Sequence, residues 1–129
     1  MTHVLETGFE QMEANNPNGS PKIRGYNIIN GIISLSSDGS TFESINPAIL
    51  ADCLGEFPLS TKEDVHDALA AARAAFPAWA ATPAPTRGQI IGNMGRLLME
   101  YKDDIVRVET REIGKTLKES AGSVQEAID

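Results

Sequence analysis

The chain has 129 residues, the length of one small domain, and its 41% hydrophobic and 22% charged residues are typical of globular proteins. The formal net charge of −7 argues against binding to nucleic acid or to an anionic membrane, because both need a basic face. No apolar run reaches the roughly 20 residues that cross a bilayer, and residues 1–20 lack the apolar centre of a signal peptide. The single cysteine, Cys53, excludes an internal disulfide and favours a reducing, cytoplasmic location.

The first 24 residues are predicted to form a flexible leader. The stretch from Asn15 to Pro21 is dense in turn-forming residues and has no apolar periodicity. We therefore expect disorder or loose packing over residues 1–24.

Residues 25–59 are predicted to form short strands. The runs 26–35 and 41–45 flank Asp38-Gly39, which predicts a hairpin between them, because both central residues of a type I′ turn need positive φ. Asn46-Pro47 is expected to end the second strand, and residues 53–57 read as a third.

Residues 60–129 are predicted to form about four helices. The spacing of Ser60 and Glu63 is that of a capping box, and the helix behind it is expected to close or kink at Pro77. A stiff, extended link over residues 82–85 is expected next. An apolar stripe then runs from Ile90 to Tyr101 and continues towards Glu112. Gly114 is a suitable C-terminal stop.

The last predicted helix begins at a second capping box, formed by Thr116 and Glu119. One apolar stripe follows at helical spacing: Leu117, Ala121, Val124 and Ile128. This stripe has no stop signal behind it, so we expect the chain to be part of a larger fold that covers the stripe.

Two glycine motifs resemble phosphate- or nucleic-acid-binding loops, and both are rejected. Gly114-Lys115-Thr116 would end a P-loop, but Glu109 stands where its first glycine is needed, and a helix precedes it instead of a strand. The Gly92–Gly95 spacing matches a short nucleic-acid-binding loop, but it lies inside a helical stripe of an acidic chain. The preferred interpretation is that Gly114 ends a helix and Lys115 is an exposed cation. Gly92 and Gly95 are expected to allow close approach of a neighbouring backbone.

Cys53 is a weak candidate for a nucleophile. The only histidines are His3 in the leader and His66 near the start of a helix, and nothing in the sequence brings either to Cys53. One cysteine and two histidines at unrelated spacings also offer no metal ligand set. A half-buried strand cysteine is therefore expected.

The close carboxylate pairs are interpreted as solvated helix faces, with Asp103 or Asp104 as a helix cap. The pairs are Asp103-Asp104 and Glu109/Glu112. The residues alone predict an acidic α+β segment with no catalytic, no cofactor-binding and no metal-binding residue.

Several short motifs nevertheless occur in a specific order. They are Asn27-Ile28-Ile29-Asn30-Gly31, residues 41–48, Gly55-Glu56-Phe57-Pro58, the alanine-rich run 68–76 with Trp79, Arg87-Gly88, Glu112, Gly114-Lys115 and Glu119. Over residues 26–129 their joint order and spacing resemble the amino-terminal region of the aldehyde dehydrogenase superfamily. Residues 83–88 and 124–129 look most like the semialdehyde dehydrogenase branches. Ile32 departs from the pattern, because many members have Trp after this Asn-Gly.

The resemblance implies a β-hairpin with short strands and then helices, packed against the nucleotide-binding part of an α/β aldehyde dehydrogenase fold. Full-length members are homo-oligomers that oxidise aldehydes or semialdehydes to carboxylates with NAD or NADP. Their catalytic cysteine and glutamate lie further along the chain, and neither maps onto this sequence. Some members hold a monovalent cation near the Asn-Pro strand, and Ile45 and Glu112 match that neighbourhood.

The resemblance therefore favours an N-terminal fragment that is inactive alone, whose partner is the remainder of the dehydrogenase fold. An alternative is a stand-alone helical interaction module that binds a larger dehydrogenase subunit. Neither hypothesis involves nucleic acid or a membrane.

Overall fold

The computed structural model describes residues 22–129, and the predicted succession of short strands and about four helices is confirmed. The strands are β1 (Ile23–Arg24), β2 (Asn27–Ile29), β3 (Ile32–Ser34), β4 (Thr41–Ile45) and β5 (Cys53–Pro58). The helices are α1 (Lys62–Ala81), α2 (Ala84–Glu100), α3 (Lys102–Ile113) and α4 (Leu117–Ile128). The chain divides into two compact units, Met1–Ala68 and Leu69–Asp129, with the boundary inside α1.

The first strand begins within the segment that the sequence assigns to the leader. Ile23 lies opposite Gly55 in a parallel pairing of β1 with β5, so the last residues of that segment belong to a sheet. Residues 1–21 lie outside the described residues, and their predicted flexibility stays a prediction.

The hairpin forms at Asn30-Gly31, so the predicted hairpin at Asp38-Gly39 is wrong. β2 and β3 are antiparallel, with Ile29 opposite Ile32, and φ is 52° at Asn30 and 75° at Gly31. Two consecutive positive φ angles define the two-residue type I′ turn whose twist matches that of the flanking strands.

The Asp38-Gly39 segment instead forms a local loop stabilised by its own side chains. The Gly39 amide donates to the Ser36 carbonyl at 2.9 Å, so Ser37 and Asp38 are the central residues of this turn. Neither of them has a positive φ. The Asp38 carboxylate accepts hydrogen bonds from the Ser40 amide and the Ser36 hydroxyl, and these donors lower its pKa. This loop carries the chain to a different sheet.

The predicted third strand is confirmed as β5, the centre of a sheet with the order β1-β5-β4. β4 and β5 are antiparallel, and the rings of Phe42 and Phe57 pack across them with centroids 5.8 Å apart. Leu54, on β5, is 1% exposed. The predicted end of β4 at Asn46 is also confirmed, and the buried Asn46 side chain donates to Asp52 at 3.0 Å, closing the connection to β5.

Helix α1 has its capping box one residue later than predicted. The helix begins at Lys62, and the Thr61 hydroxyl accepts from the Asp64 amide at 3.3 Å. Asp64 accepts in return from the Thr61 amide at 2.7 Å. Ser60, the predicted cap, donates to Asn27.

Pro77 does not close α1, which continues to Ala81. Pro77 cannot donate to the carbonyl four residues earlier, but this loss falls in the last turns of the helix. Pro83 is the N-cap of α2 and Pro85 lies in its first turn, where the missing amide hydrogen is tolerated. The extended link is therefore shorter than the predicted residues 82–85.

The second unit packs α4 against α2 and α3. Val106 and Val124 are 7% and 5% exposed, and the fully buried Ser120 hydroxyl lies 3.0 Å from that of Thr110. The predicted close approach is confirmed at Gly95, where an added Cβ would lie 3.2 Å from the Ile128 carbonyl oxygen.

The other predictions for this unit are confirmed at some positions and wrong at others. A Cβ added at Gly92 would meet no atom of a neighbouring segment within 4 Å, so the predicted packing role of this glycine is wrong. Tyr101 interrupts the apolar stripe and separates α2 from α3. Gly114 ends α3 with φ of 77°, and the capping box of Thr116 and Glu119 is complete, as predicted.

We predict that Gly55→Ala disrupts the pairing of β1 with β5, because the new Cβ would lie 1.8 Å from the Ile23 carbonyl oxygen. The free energy of unfolding should fall by about 1–3 kcal/mol, as for other overpacked sites, in urea titrations followed by circular dichroism. Gly88→Ala is the matched control, because Gly88 lies in α2 and a Cβ added there would meet no atom of a neighbouring segment within 4 Å. It should stabilise by about 0.5–1 kcal/mol. Equal effects of the two substitutions would contradict the packing role of Gly55.

Candidate functional site

The start of α1 is held by one carboxylate that receives several hydrogen bonds. Asp64 accepts from the Ser37 amide at 3.1 Å and from the Thr61 amide at 2.7 Å, and the two hydroxyls of Ser37 and Thr61 are 2.7 Å apart. Thr61 precedes the helix and Ser37 lies in the loop after β3. Asp64 therefore fixes the loop to the first turn of the helix.

The electrostatics of Asp64 exclude a role as a neutral-pH acid or base. The Thr61 amide is the largest influence on its pKa, followed in the same direction by the Ser37 amide, and together these donors outweigh burial and lower the pKa below 3.8. The carboxylate is therefore ionised at neutral pH, with its oxygens occupied by fixed donors. Asp64 is not predicted as the cap partner, because Ser60 and Glu63 have the same spacing in the sequence as Thr61 and Asp64.

Beside this anchor lies a groove of about 200 Å³. It is lined by Asn27, Ile28, Ile29, Ser60, Asp64, Val65 and Ala68. Ser60 donates to the Asn27 side-chain oxygen at 3.0 Å, while the buried Asn27 side-chain nitrogen has no hydrogen-bond partner. The groove is thus mainly apolar, and the unpartnered Asn27 nitrogen is itself buried.

Cys53 lies half-buried on β5, as predicted, and its Sγ donates to the Gly55 carbonyl at 3.8 Å. His66 is exposed on α1, and His3 lies outside the described residues. Among residues 22–129, no group of three or more His, Cys, Asp or Glu side chains could hold a metal ion.

Lys115 is paired rather than freely exposed, which corrects one sequence expectation. Its Nζ lies 3.1 Å from Glu109 Oε1 and donates to the Ser123 hydroxyl at 3.0 Å. Glu109 is accordingly half-buried instead of lying on a solvated face. The lysine is engaged in joining α3 to α4, so the rejection of a P-loop agrees with the geometry.

The remaining carboxylates carry no assembled site. Asp103 and Asp104 are exposed in the first turn of α3, where the helix dipole favours them, but neither caps the helix. Glu112 is exposed, as predicted. The expected cation neighbourhood of Ile45 and Glu112 stays a prediction. The Gly92–Gly95 segment is helical, which agrees with the rejection of a nucleic-acid-binding loop.

Both units expose large apolar side chains. In the first unit, Ile28 and Ile32 of the hairpin are 69% and 65% exposed. In the second, Leu69, Phe76 and Trp79 share one face of α1 and are 40–66% exposed. Apolar side chains in such groups are typical of interaction surfaces. Of the helices in the described part of the chain, none is long and apolar enough to span a membrane.

Comparisons with known proteins agree with this arrangement. Residues 34–129 match the sequence model of the aldehyde dehydrogenase family. The alpha-ketoglutarate semialdehyde dehydrogenase of Haloferax volcanii is 40% identical over 103 residues, covering 80% of this chain and 21% of that protein. The malonate-semialdehyde dehydrogenase of Bacillus cereus is 38% identical over 106 residues, covering 82% and 22%. The crystal structure of NADP-dependent glyceraldehyde-3-phosphate dehydrogenase from Bacillus halodurans, complexed with NADP, has a TM-score of 0.80 at 27% identity, covering 84% and 22%.

The chain belongs to the aldehyde dehydrogenase family. It corresponds to the N-terminal region of the superfamily, so the resemblance seen in the sequence is confirmed. The chain spans about a fifth of the length of the curated relatives that it matches.

We predict that the stability supplied by Asp64 is lost at low pH. A lowered pKa in the folded chain means that this stability is complete above the ordinary value of 3.8 and disappears as the pH falls below it. The urea midpoint should therefore fall more steeply below pH 4 in the wild-type chain than in Asp64→Asn. The matched control is Asp67→Asn, since Asp67 is exposed in the same helix. An Asp64→Asn chain with the wild-type pH profile would contradict this assignment.

Proposed function

We propose that this chain is the N-terminal part of an NAD(P)-dependent aldehyde dehydrogenase that oxidises a semialdehyde to a carboxylate. The family match over residues 34–129 carries the proposal. Two relatives at 40% and 38% identity are semialdehyde dehydrogenases, which supports the substrate class. The chain covers about a fifth of each, which supports a larger enzyme to which it contributes.

The helix N-termini of the described residues do not fit a dinucleotide. Binding of a pyrophosphate needs free amides at a helix N-terminus, usually behind a glycine-rich turn. In α1 and α4 the carboxylates of Asp64 and Glu119 accept from the amides of the cap residues Thr61 and Thr116, so a negative charge already lies at each of these helix starts. Helix α2 has Pro83 as its N-cap, and the first turn of α3 is acidic. We therefore assign NAD or NADP binding to the remainder of the enzyme.

The chain itself has a supporting role in this proposal. The catalytic cysteine and glutamate of the family have no counterpart in the residues of this sequence, and the Asp64 carboxylate is occupied by amide donors. The exposed apolar face of α1 needs a cover, and the rest of the dehydrogenase fold supplies one. The isolated chain is accordingly inactive.

We predict that the pure chain forms no NADH or NADPH with malonate semialdehyde or alpha-ketoglutarate semialdehyde, measured by absorbance across neutral and alkaline pH. A chimera of the Bacillus cereus malonate-semialdehyde dehydrogenase, with its matched region replaced by residues 26–129, should retain malonate semialdehyde oxidation. Cys53→Ser in this chimera should leave its activity unchanged. Turnover by the isolated chain, or a folded but inactive chimera, would count against the proposal.

An interaction module that binds a larger dehydrogenase subunit is the alternative, and the exposed face of Leu69, Phe76 and Trp79 favours it. In that case the chain should co-purify stoichiometrically with intact Bacillus cereus enzyme, and Phe76→Asp should abolish the complex. Lys118→Asp, on an exposed position of α4, is the control. Under the main proposal the intact enzyme already contains the equivalent region, so no stoichiometric complex forms.

A further inference from the structure

The turn of the β2–β3 hairpin carries a side-chain amide that is open to attack. Asn30 is exposed and is followed by Gly31, where an added Cβ would meet nothing within 4 Å. Asparagine is thermolabile, because the backbone nitrogen of the next residue can attack its Cγ. A following glycine leaves that nitrogen least shielded, since it has no side chain. The Asn30-Gly31 pair therefore lacks the steric shielding that slows this attack at other sequences.

The other asparagines of residues 22–129 are protected by their surroundings. Asn27 precedes a β-branched residue, and its side-chain nitrogen is buried. Asn46 is buried and precedes a proline, whose backbone nitrogen has no hydrogen to lose. Asn93 lies inside α2, where its side-chain oxygen accepts a hydrogen bond from Arg96. Among the described asparagines, only the one in the hairpin turn combines exposure with a following glycine.

The Asp38-Gly39 sequence is a natural comparison, because an aspartate can close the same five-membered ring. It does so as the neutral acid, since the carboxylate is a poor electrophile. The Ser40 amide is the largest influence on the Asp38 carboxyl, and together with the Ser36 hydroxyl it lowers the pKa below 3.8. Asp38 is therefore ionised at neutral pH and resists ring closure.

The hairpin must open before the ring at Asn30 can close. Ring closure rotates the Cα–C bond of Asn30 away from the torsion of about 30° that a type I′ turn requires. The strands that hold this turn have three residues each, and the cross-strand partners Ile28 and Ile33 are 69% and 42% exposed. A two-stranded hairpin with so little cover is marginal in water. It therefore opens by local unfolding, without unfolding of the whole chain.

We propose that Asn30 is a site of spontaneous deamidation whose rate is set by opening of the β2–β3 hairpin. The Gly31 nitrogen attacks Asn30 Cγ, the bond from Cγ to the side-chain nitrogen breaks, and ammonia leaves with the hydrogen of the Gly31 amide. Water then opens the cyclic imide at either of its two carbonyls, which gives aspartate or isoaspartate. The two steps together consume one water molecule and release one ammonia molecule.

Both products change the hairpin that controls the reaction. Each product adds a negative charge to a turn whose flanking strands are uncharged. Isoaspartate also inserts one carbon into the main chain, so the two-residue turn no longer places Ile29 opposite Ile32. Modified chains should therefore lose the pairing of β2 with β3. This inference is independent of the proposed enzymatic role.

Incubation of the whole 129-residue chain at mildly alkaline pH, followed by tryptic digestion and tandem mass spectrometry, tests the proposal. Aspartate and isoaspartate should accumulate at Asn30 and not at the other asparagines of residues 22–129. Cleavage after Arg24 separates this site from Asn18, which also precedes a glycine. A synthetic peptide of residues 25–35 should react faster than the intact chain, because it has no stable hairpin to open.

Ile33→Gly tests the control by hairpin opening, because it weakens the pair with Ile28 and leaves Asn30 and Gly31 unchanged. It should raise the rate of deamidation about fivefold. Ile113→Gly, at the exposed end of α3, is the matched control and should keep the wild-type rate.

Three results would overturn the proposal. One is an Asn30 that stays intact in the chain while the synthetic peptide reacts completely. The second is an intact chain that reacts as fast as the peptide, or an Ile33→Gly chain that reacts at the wild-type rate, since either would separate the reaction from hairpin opening. The third is isoaspartate that forms at Asp38 as fast as at Asn30.

Discussion

Apolar coverage is the constraint on which the rest of this structure depends. Among the described residues only Leu54, Val106 and Val124 are buried apolar side chains, while twenty large apolar side chains are exposed. Complete burial of one such side chain is worth about 1.5–3 kcal/mol. Any surface that covers even a few of them therefore stabilises the folded chain by mass action. Folding and association are coupled in a chain with this distribution.

Polar contacts between neighbouring segments define the geometry that the small cores do not. Asp64 joins the loop after β3 to α1, and Asn46 with Asp52 closes the connection between β4 and β5. In the second unit, Ser120 and Thr110 share a buried hydrogen bond between α4 and α3. A buried polar pair is unfavourable when its partners separate, so these contacts select one register for each pair of elements.

The sequence predicts features that depend on a few adjacent residues and fails where distant segments decide. Gly114 and the box of Thr116 and Glu119 were predictable because each end is satisfied within four residues. The pairing of the strands was not predictable in this way, because Asn30-Gly31 and Asp38-Gly39 both suit a type I′ turn. Their flanks distinguish them: strand residues adjoin Asn30-Gly31 on both sides, whereas serines surround Asp38-Gly39.

The same distinction between local and distant contacts applies to the candidate site. The half-buried state of Cys53 is expected from its place in a strand, and it is confirmed. The groove was not predictable, because Asn27, Ser60 and Asp64 meet only after the hairpin and α1 have formed. The pairing of Lys115 with Glu109 and Ser123 likewise needs the packing of α4 on α3. A lysine that looks exposed in the sequence becomes part of a helix contact.

Membership of an enzyme family does not require reacting groups in every part of the fold, because the reacting groups of an enzyme are carried by only some of its segments. Two helices of this region carry a capping carboxylate at their N-termini, which stabilises these ends and disfavours a second anion beside them. Regions that must bind phosphate leave those amides free. The capping carboxylates of α1 and α4 therefore argue for a structural contribution: these two helices are completed at their N-termini by their own side chains, while large apolar side chains of the chain remain exposed.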